Sequence, residues 1–453
     1  MLVEAIGIYG SQYLYRRYQQ HKERLYLLDH FGEPNRTDVK LDSTNLPIVF
    51  INTKDQRIDR YDEITARMVI IDNGPEQYNY GDTVAHPSQN FDFDGYISFR
   101  YRGNSSFSES DKKPYAIRVI DKPLKDGGEK KRCSLLGMRK GKKWALIAPY
   151  IDRSMIRDAL TYELARPYFE YVPEGRYCEL ILNGVYYGIH WLAEQPDARR
   201  MGVKKSKGDT DMLEGGYMLQ LDFKDTVGAY KSKYWPDVFY RYMYPDSLKL
   251  SHQQRIFINS QINDLESGFA TGGMRGIDTL SMIDFQLATE FAHNDDSYKI
   301  STFLYKKNNS VPFLFTLWDF NLAYGNFCKG NKYRTDTWVY PTKDQGKKFW
   351  WSMMMEHPEY VRCVRHRWEQ YRHENYSNEH IHVVIDSLTS LLTSGGAFTR
   401  DSMAWYKQWG ENWLGPVQIR PQKYVSSSYE DEIDYLKRWI DARLEWMDEK
   451  LRR

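Results

Sequence analysis

The sequence predicts an α+β protein of two lobes, β-rich to about residue 196 and mainly helical beyond it. Three observations carry that expectation. Strand signals concentrate early in the chain, helix signals dominate late, and 453 residues can bury a large core in two parts. The expected organisation is an N-terminal extension over 1–45, a β-rich lobe over 46–196 and a mainly helical lobe over 197–453.

Composition narrows the function classes. With 63 Lys and Arg against 61 Asp and Glu, the net charge of +2 advertises neither nucleic acid nor an acidic membrane. The 36 Tyr and 13 Trp make much of the apolar content amphipathic, suited to wet grooves as well as cores. Four cysteines (Cys133, Cys178, Cys328, Cys363) are scattered without a C-x-x-C, so neither a zinc site nor a disulfide framework is expected. No apolar run is long enough for a transmembrane segment. The opening MLVEAIGIYGSQYLYRRYQQHKERLYLL is amphipathic and basic, unlike a signal peptide. It reads as a helical segment followed by a polar connector, Phe31 to Asn45.

The body begins with strands at Leu46–Ile51 and Ala66–Asp72. Tyr96 to Arg102 alternates, with Ile97, Phe99 and Tyr101 on one face and Ser98, Arg100 and Arg102 on the other. It ends in Arg102-Gly103-Asn104-Ser105-Ser106, a loop whose amides and hydroxyls could cradle phosphate beside fixed cations. Lys112-Lys113-Pro114-Tyr115 leads into another strand, Tyr115 to Ile120, which carries Arg118. Ser154 to Arg166 reads as a helix capped by Asp152 or Ser154, with Glu163 on the edge of its apolar stripe. Such a carboxylate wants a cationic partner, which Arg102, Lys113 or Arg118 would supply. Tyr177–Leu182 and Tyr186–Leu192 form a hairpin across Asn183-Gly184, and the second strand runs into Glu194-Gln195.

Beyond Gln195, Met201 to Thr210 reads as a loop and Gly215 to Asp222 as a short strand. A Tyr-rich, irregular segment follows to about Leu248. Helices are expected over His252–Leu265 and Ser281–Ala292. Ser301–Lys307 and Val311–Trp318 form a hairpin turning at Asn308-Asn309-Ser310. A turn centred on Asn309 sets Asp319 opposite Lys299, with Asp296 roughly 10 Å along the strand, or closer if the chain curls. Two such carboxylates could frame a divalent metal and a reacting group. Gly325 to Lys348 is loop-like. Phe349–Tyr371, Ile381–Leu392 and Tyr429–Leu451 read as helices, the last with Ile433, Leu436, Ile440, Leu444 and Met447 on its core face.

Taken together, Arg102-Gly103-Asn104, Lys112-Lys113-Pro114-Tyr115, the Glu163 helix, Glu194-Gln195, Asn294-x-Asp296-Ser297-Tyr298 and Trp318-Asp319-Phe320-Asn321 resemble the CotH family. Those are the spore-coat-protein-H-like atypical protein kinases, and the resemblance covers about residues 46 to 451. It implies a bilobal protein-kinase-like fold and transfer of the γ-phosphate of ATP to protein hydroxyls, supported by Mg²⁺. Arg102, Lys113 or Arg118 would grip the nucleotide, Arg118 standing where a kinase Val-Ala-Ile-Lys strand has its lysine. Glu163 would pair with that cation, and Glu194 and Gln195 would form the hinge. Asp319 would hold the metal, with Asn294 or Asn321 as a further ligand. Asp296 would be the catalytic acid that handles the acceptor hydroxyl, with Asp295 the alternative one residue earlier. Relatives are often exported. Arg118, Ser301 and Asn321 depart from the usual pattern and point toward a non-catalytic, pseudokinase-like surface or assembly protein as the alternative. A carbohydrate-active protein using Asp295, Asp296 and Asp319 ranks third, since it needs two carboxyls about 5–10 Å apart but leaves the early cations unexplained.

Overall fold

Apolar–polar alternation builds the first sheet from strands β1 (Ile48–Asn52), β2 (Ile64–Ile71), β3 (Phe91–Tyr101), β4 (Tyr115–Ile120), β5 (Trp144–Ile147), β6 (Gly175–Leu182) and β7 (Val185–Glu194). These come from a computed structural model that describes residues 32–452, apart from 206–213, 223–227, 299, 327–331, 342, 345–346, 406–408 and 412–420. The helical segment expected near the N-terminus lies outside the described residues, as do Cys328 and Lys299. The helices longer than one turn are α1 (Arg157–Ala165), α2 (His252–Ala270), α3 (Thr279–Ala292), α4 (Trp350–Met354), α5 (Pro358–His373), α6 (Asn378–Thr393), α7 (Ala397–Trp405) and α8 (Tyr429–Arg452). The architecture is mixed α/β.

The chain divides into two units. One comprises Met1–Tyr150, Arg176–Ala193 and Leu392–Lys407; the other comprises Ile151–Gly175, Glu194–Leu391 and Gln408–Arg453. In the first, the seven strands close into a barrel in the order β1-β2-β3-β4-β5-β7-β6, with β6 parallel to β1. Val49, Met68, Ile97, Phe99, Ile117, Trp144 and Leu180 fill its core, so the expected inward face of β3 is the face observed. Asn183 and Gly184 both take positive φ (50° and 81°), the conformation a tight two-residue hairpin requires between β6 and β7.

Helix α7, which the sequence does not announce, belongs to the barrel unit and is attached by charge. Asp401 is fully buried, ion-pairs with the buried Lys112 and accepts the Ile189 amide at 2.8 Å. Arg400 clasps Glu179 through two hydrogen bonds of 2.9 and 2.7 Å.

The second unit holds β8 (Tyr217–Leu221), β9 (Tyr230–Lys231), β10 (Phe239–Tyr244), β11 (Thr302–Lys306) and β12 (Leu314–Thr316). They form an antiparallel sheet in the order β9-β10-β8-β11-β12. The Tyr-rich stretch expected to be irregular therefore supplies two strands. Its Phe-Tyr-Arg-Tyr run alternates buried Tyr240 and Tyr242 with a less buried Arg241, and aromatic side chains fit a pleated, half-buried surface. Helix α2 begins at a capping box of Ser251 and Gln254. Helix α3 is capped by Asp278 and buried from Met282 to Ala292, making it the central helix of the unit. On α8 the five expected apolar positions are buried, and so are Glu432 and Arg443. No single helix among the described residues is long and apolar enough to cross a membrane. Cys133, Cys178 and Cys363 are free thiols.

Candidate active site of the helical unit

Helix α3 ends abruptly because His293 turns left-handed (φ 48°), and the next residues curl instead of extending. The Ser297 amide donates to the Asn294 carbonyl at 3.2 Å, and the Ile300 amide donates to the Asp296 carbonyl at 3.0 Å. The β11–β12 register corrects the expected one by a residue. Phe303 lies opposite Thr316 and Tyr305 opposite Leu314, so the turn is centred between Asn309 and Ser310 rather than on Asn309. The ladder stops at Thr316, and Asp319 reaches the Asn294 turn through the curl, not through strand pairing.

That curl brings the two motifs together. The Asn294 side-chain amide donates to the Asp319 carbonyl and to the Ser297 hydroxyl, both at 3.0 Å. The Asp319 carboxylate accepts from the Ser301 hydroxyl at 3.3 Å, so one of the residues that depart from the expected motif pattern touches the acid itself. Asp319 sits at φ 71°, and His293, Tyr298, Ser301 and Tyr324 also have positive φ. Non-glycine residues in this region each cost about 1–3 kcal/mol, so the surrounding packing must hold this stretch in place.

Helix α1 does part of that holding. Asp158 accepts the Phe320 amide at 2.6 Å, and the Tyr162 hydroxyl accepts the Asp319 amide at 3.1 Å. Spaced i and i+4, the two side chains share one face and grip consecutive amides. Just before them Arg157, fully buried, donates to the Ala323 carbonyl at 3.0 Å and pairs with Glu432 at 3.0 Å and with Asp152. The helix begins at Arg157, three residues later than expected, and Ile156 at its N-cap supplies no capping side chain, which corrects the expected cap at Asp152 or Ser154. Asp152 instead accepts the Arg157 amide at 2.8 Å from the preceding turn. Glu163 stands elsewhere. Its carboxylate is 47 % exposed and pairs with Arg166 at 2.9 Å, one turn along the same segment. The packed side of α1 runs through Asp158 and Tyr162, and that leaves Glu163 on the open side.

Whether these residues could hold a divalent ion turns on their oxygens. Asn294 is 1 % exposed, yet its Oδ1 finds no hydrogen-bond partner. A buried amide oxygen left unsatisfied beside a carboxylate-bearing residue fits a hard cation. Asn321, half-buried in the same loop, uses its main-chain carbonyl to accept from Asn326 at 2.8 Å. Asp295 and Asp296 are both partly buried, and Asp295 is ion-paired with Lys332. Among the described residues there is no cluster of three or more His, Cys, Asp or Glu suited to a metal. A site here therefore draws on amide oxygens as well as an acid, which suits an ion that keeps several waters.

The motif cations of the barrel unit have protein partners of their own. Lys113 is buried and donates to the carbonyls of Phe107 (2.9 Å) and Ser110 (2.6 Å); burial holds its pKa below the ordinary lysine value. Arg118 pairs with Glu63 at 2.6 Å, and Lys130 shares the same acid. Arg102 is half-buried at the end of β3, its amide bound to the Pro114 carbonyl at 3.0 Å. In the loop after it, Gly103 has φ 90°, and Arg60 holds the Gly103 carbonyl at 2.8 Å and the Asn104 side chain at 3.1 Å. At the other end of the motif series, in the helical unit, Glu194 is fully buried near Arg200 (3.6 Å), which also takes the Gln195 carbonyl at 3.1 Å.

The family comparison gives this geometry a context. The model of the CotH kinase protein family matches residues 99–447. The chain belongs to the CotH kinase family. No curated protein matches it significantly. The match runs from the end of β3 into α8, and so takes in the Asp158–Tyr162 grip and both motifs of the curl.

Several residues of this CotH chain's site escape the motif reading. Asp158 and Tyr162 lie on α1 with no feature beyond their i, i+4 spacing. Arg157, Glu290 and Arg443 are charged residues in otherwise amphipathic helices, and each is buried against a partner distant in sequence. Only their position on the apolar side of a helix could have marked them.

Proposed function

We propose that the two units are the β-rich and helical lobes of a kinase-like fold, and that the chain transfers the γ-phosphate of ATP to hydroxyls of a protein acceptor. The observation that carries this reading is the meeting of Asn294 and Asp319, with an amide oxygen left unsatisfied at a buried, strained turn. Asp319 would hold Mg²⁺, with oxygen donation from Asn294 or Asn321. When bound, the ion neutralises charge on the phosphates. Asp296 orients the acceptor hydroxyl and takes its proton. Tyr162 and Asp158 keep the Asp319 amide and its neighbour in place, so the carboxylate is positioned before substrate arrives.

A second reading, a non-catalytic pseudokinase-like protein, is favoured by the partners of Lys113 and Arg118, which occupy cations that a nucleotide would need. Calorimetry of ATP binding with and without Mg²⁺ separates the two. The kinase reading expects Mg²⁺-dependent binding that Asp319→Asn weakens, beside radiolabelled transfer to protein acceptors. Absence of nucleotide binding by the parent protein selects the second reading.

A further inference from the structure

Asp295, the neighbour of Asp296, opens onto a cavity of about 280 Å³. His293, Lys332, Arg334, Thr337 and Trp338 line it with Asp295. One wall is the stretch 332–340, and buried charges from two helices hold that wall by its main chain. Arg443 of α8 donates to the carbonyls of Thr335 (2.8 Å) and Thr337 (2.6 Å), and to that of Glu290 at 2.9 Å. Glu290 of α3 accepts the amides of Val339 (2.8 Å) and Tyr340 (2.7 Å) and the Tyr298 hydroxyl (2.9 Å). The wall is a loop whose course is held by hydrogen bonds from side chains of two helices.

Its charge is asymmetric. Two cations, Lys332 and Arg334, line it against the single carboxylate of Asp295. Lys332 rests on Asp295, each side chain about one-third exposed. Arg334 forks onto Asp336 through two hydrogen bonds of 2.7 Å, with both side chains about half-exposed and open to exchange with solvent or an incoming anion. His293 lines the cavity beside these charges and is buried. One of its nitrogens meets the Thr337 hydroxyl at 2.9 Å, while the other, Nδ1, is buried with no hydrogen-bond partner. The lining thus offers two cations, Lys332 and Arg334, beside one carboxylate and Trp338.

We propose that this cavity is the acceptor subsite of the phosphotransfer reaction, and that it takes a carboxylate-bearing residue flanking the acceptor hydroxyl. The inference rests on the kinase reading above. In the free protein Asp295 stands in for that carboxylate on Lys332. An incoming acid draws Lys332 across and adds Arg334, whereas a basic residue would have to displace Lys332 and then face both cations.

The test uses the full chain and fluorescein-labelled peptides carrying one serine in an alanine–glycine frame, flanked by Glu, Ala or Lys. Binding is read by anisotropy without nucleotide, and transfer from Mg-ATP is measured in parallel. The Glu peptide should bind ~10-fold tighter than the Ala peptide. That preference should vanish in the Lys332→Ala, Arg334→Ala double variant. Asp295→Asn, which takes the competing carboxylate away from Lys332, should tighten the Glu peptide several-fold. Equal binding of the three peptides, a preference for Lys, or weaker Glu-peptide binding by Asp295→Asn would overturn the proposal. A parent that keeps the Glu preference in binding but transfers no phosphate would sink the kinase reading and leave the anion subsite standing.

Discussion

The barrel unit and the helical unit each carry motif residues of the same family, but their surroundings treat those residues differently. In the barrel the charged groups are used up locally: Lys112 on Asp401, Lys113 on two carbonyls, Arg118 on Glu63. In the helical unit the motif side chains sit on strained backbone, gripped from behind by Tyr162 and Asp158, with an oxygen of Asn294 to spare. A buried cation must be paired to be tolerated, so its presence in a motif says little about a ligand. A buried oxygen left unsatisfied, as on Asn294 beside the strained His293 and Asp319, is costly to keep, so it points to chemistry more directly.

The largest effect should come from breaking the barrel's buried pair. Lys112→Met leaves Asp401 buried without its cation, at about 3–5 kcal/mol of stability by denaturant unfolding. If the variant keeps full stability but loses ATP affinity, Lys112 belongs to a ligand site and the contrast between the units fails.

Next is a pH effect confined to the helical unit. Glu266 of α2 is buried and, among the described residues, accepts the hydroxyls of Tyr240 (2.7 Å) and Ser232 (3.0 Å) with no ion pair to a cation. Burial lifts its pKa from 4.5 to about 7 against those two hydrogen bonds. The folded value is raised, so the stabilisation is complete below pH 4.5 and is lost as pH rises through 7. The span corresponds to roughly 3 kcal/mol. Thermal unfolding across pH 4 to 8 should show that decline in the parent and a flatter profile in Glu266→Gln.

A comparable effect, this time on rate, separates the acids. Asp296→Asn should bind Mg-ATP nearly normally and transfer phosphate ~10²-fold more slowly, the loss expected for a general base. If Asp295→Asn abolishes transfer and Asp296→Asn does not, the base is one residue earlier.

The smallest effect sharpens the contrast. Arg118→Ala removes a part-exposed pair whose acid keeps Lys130, and should cost ~1 kcal/mol or less of stability. A tenfold loss of ATP affinity in that variant would move Arg118 from the structural class into the nucleotide site.

Local chemistry explains what could be read in the sequence. Alternation at Ile97, Phe99 and Tyr101, the Asn183-Gly184 turn and the apolar ladder of α8 are signals complete within a few residues, and all three appear as expected. The β11–β12 register missed by one because a three-residue polar turn leaves its centre undetermined, and one residue of slip reverses every face. Helix α1 was legible as a helix, but periodicity alone could not say which acid faces the packing. Glu163 and Asp158 both lie at helical spacing from apolar neighbours, and only the tertiary structure puts Asp158 on the Phe320 amide. Arg443 and Glu290 were illegible for the same reason, since their partners lie 106 and 50 positions away or thereabouts.

The hydrogen bonds of Arg443 and Glu290 to the 335–340 stretch engage only its carbonyls and amides. Peptide groups are the same at every position, so this hold does not depend on which side chains the stretch displays. The side chains of Arg334 and Asp336, a half-exposed pair, contribute none of those hydrogen bonds, although Asp336 adds its charge near Arg443. Trp338 is tied in more closely: its ring lies 5.6 Å from the Arg443 guanidinium and packs against Trp446 and Tyr340, with ring centroids 4.6 and 5.7 Å away. A lineage could therefore rewrite the residues that meet a partner, one substitution at a time, while the main chain keeps its course. Much of the inheritance of that path thus resides away from the stretch itself, in Arg443 and Glu290 on two helices.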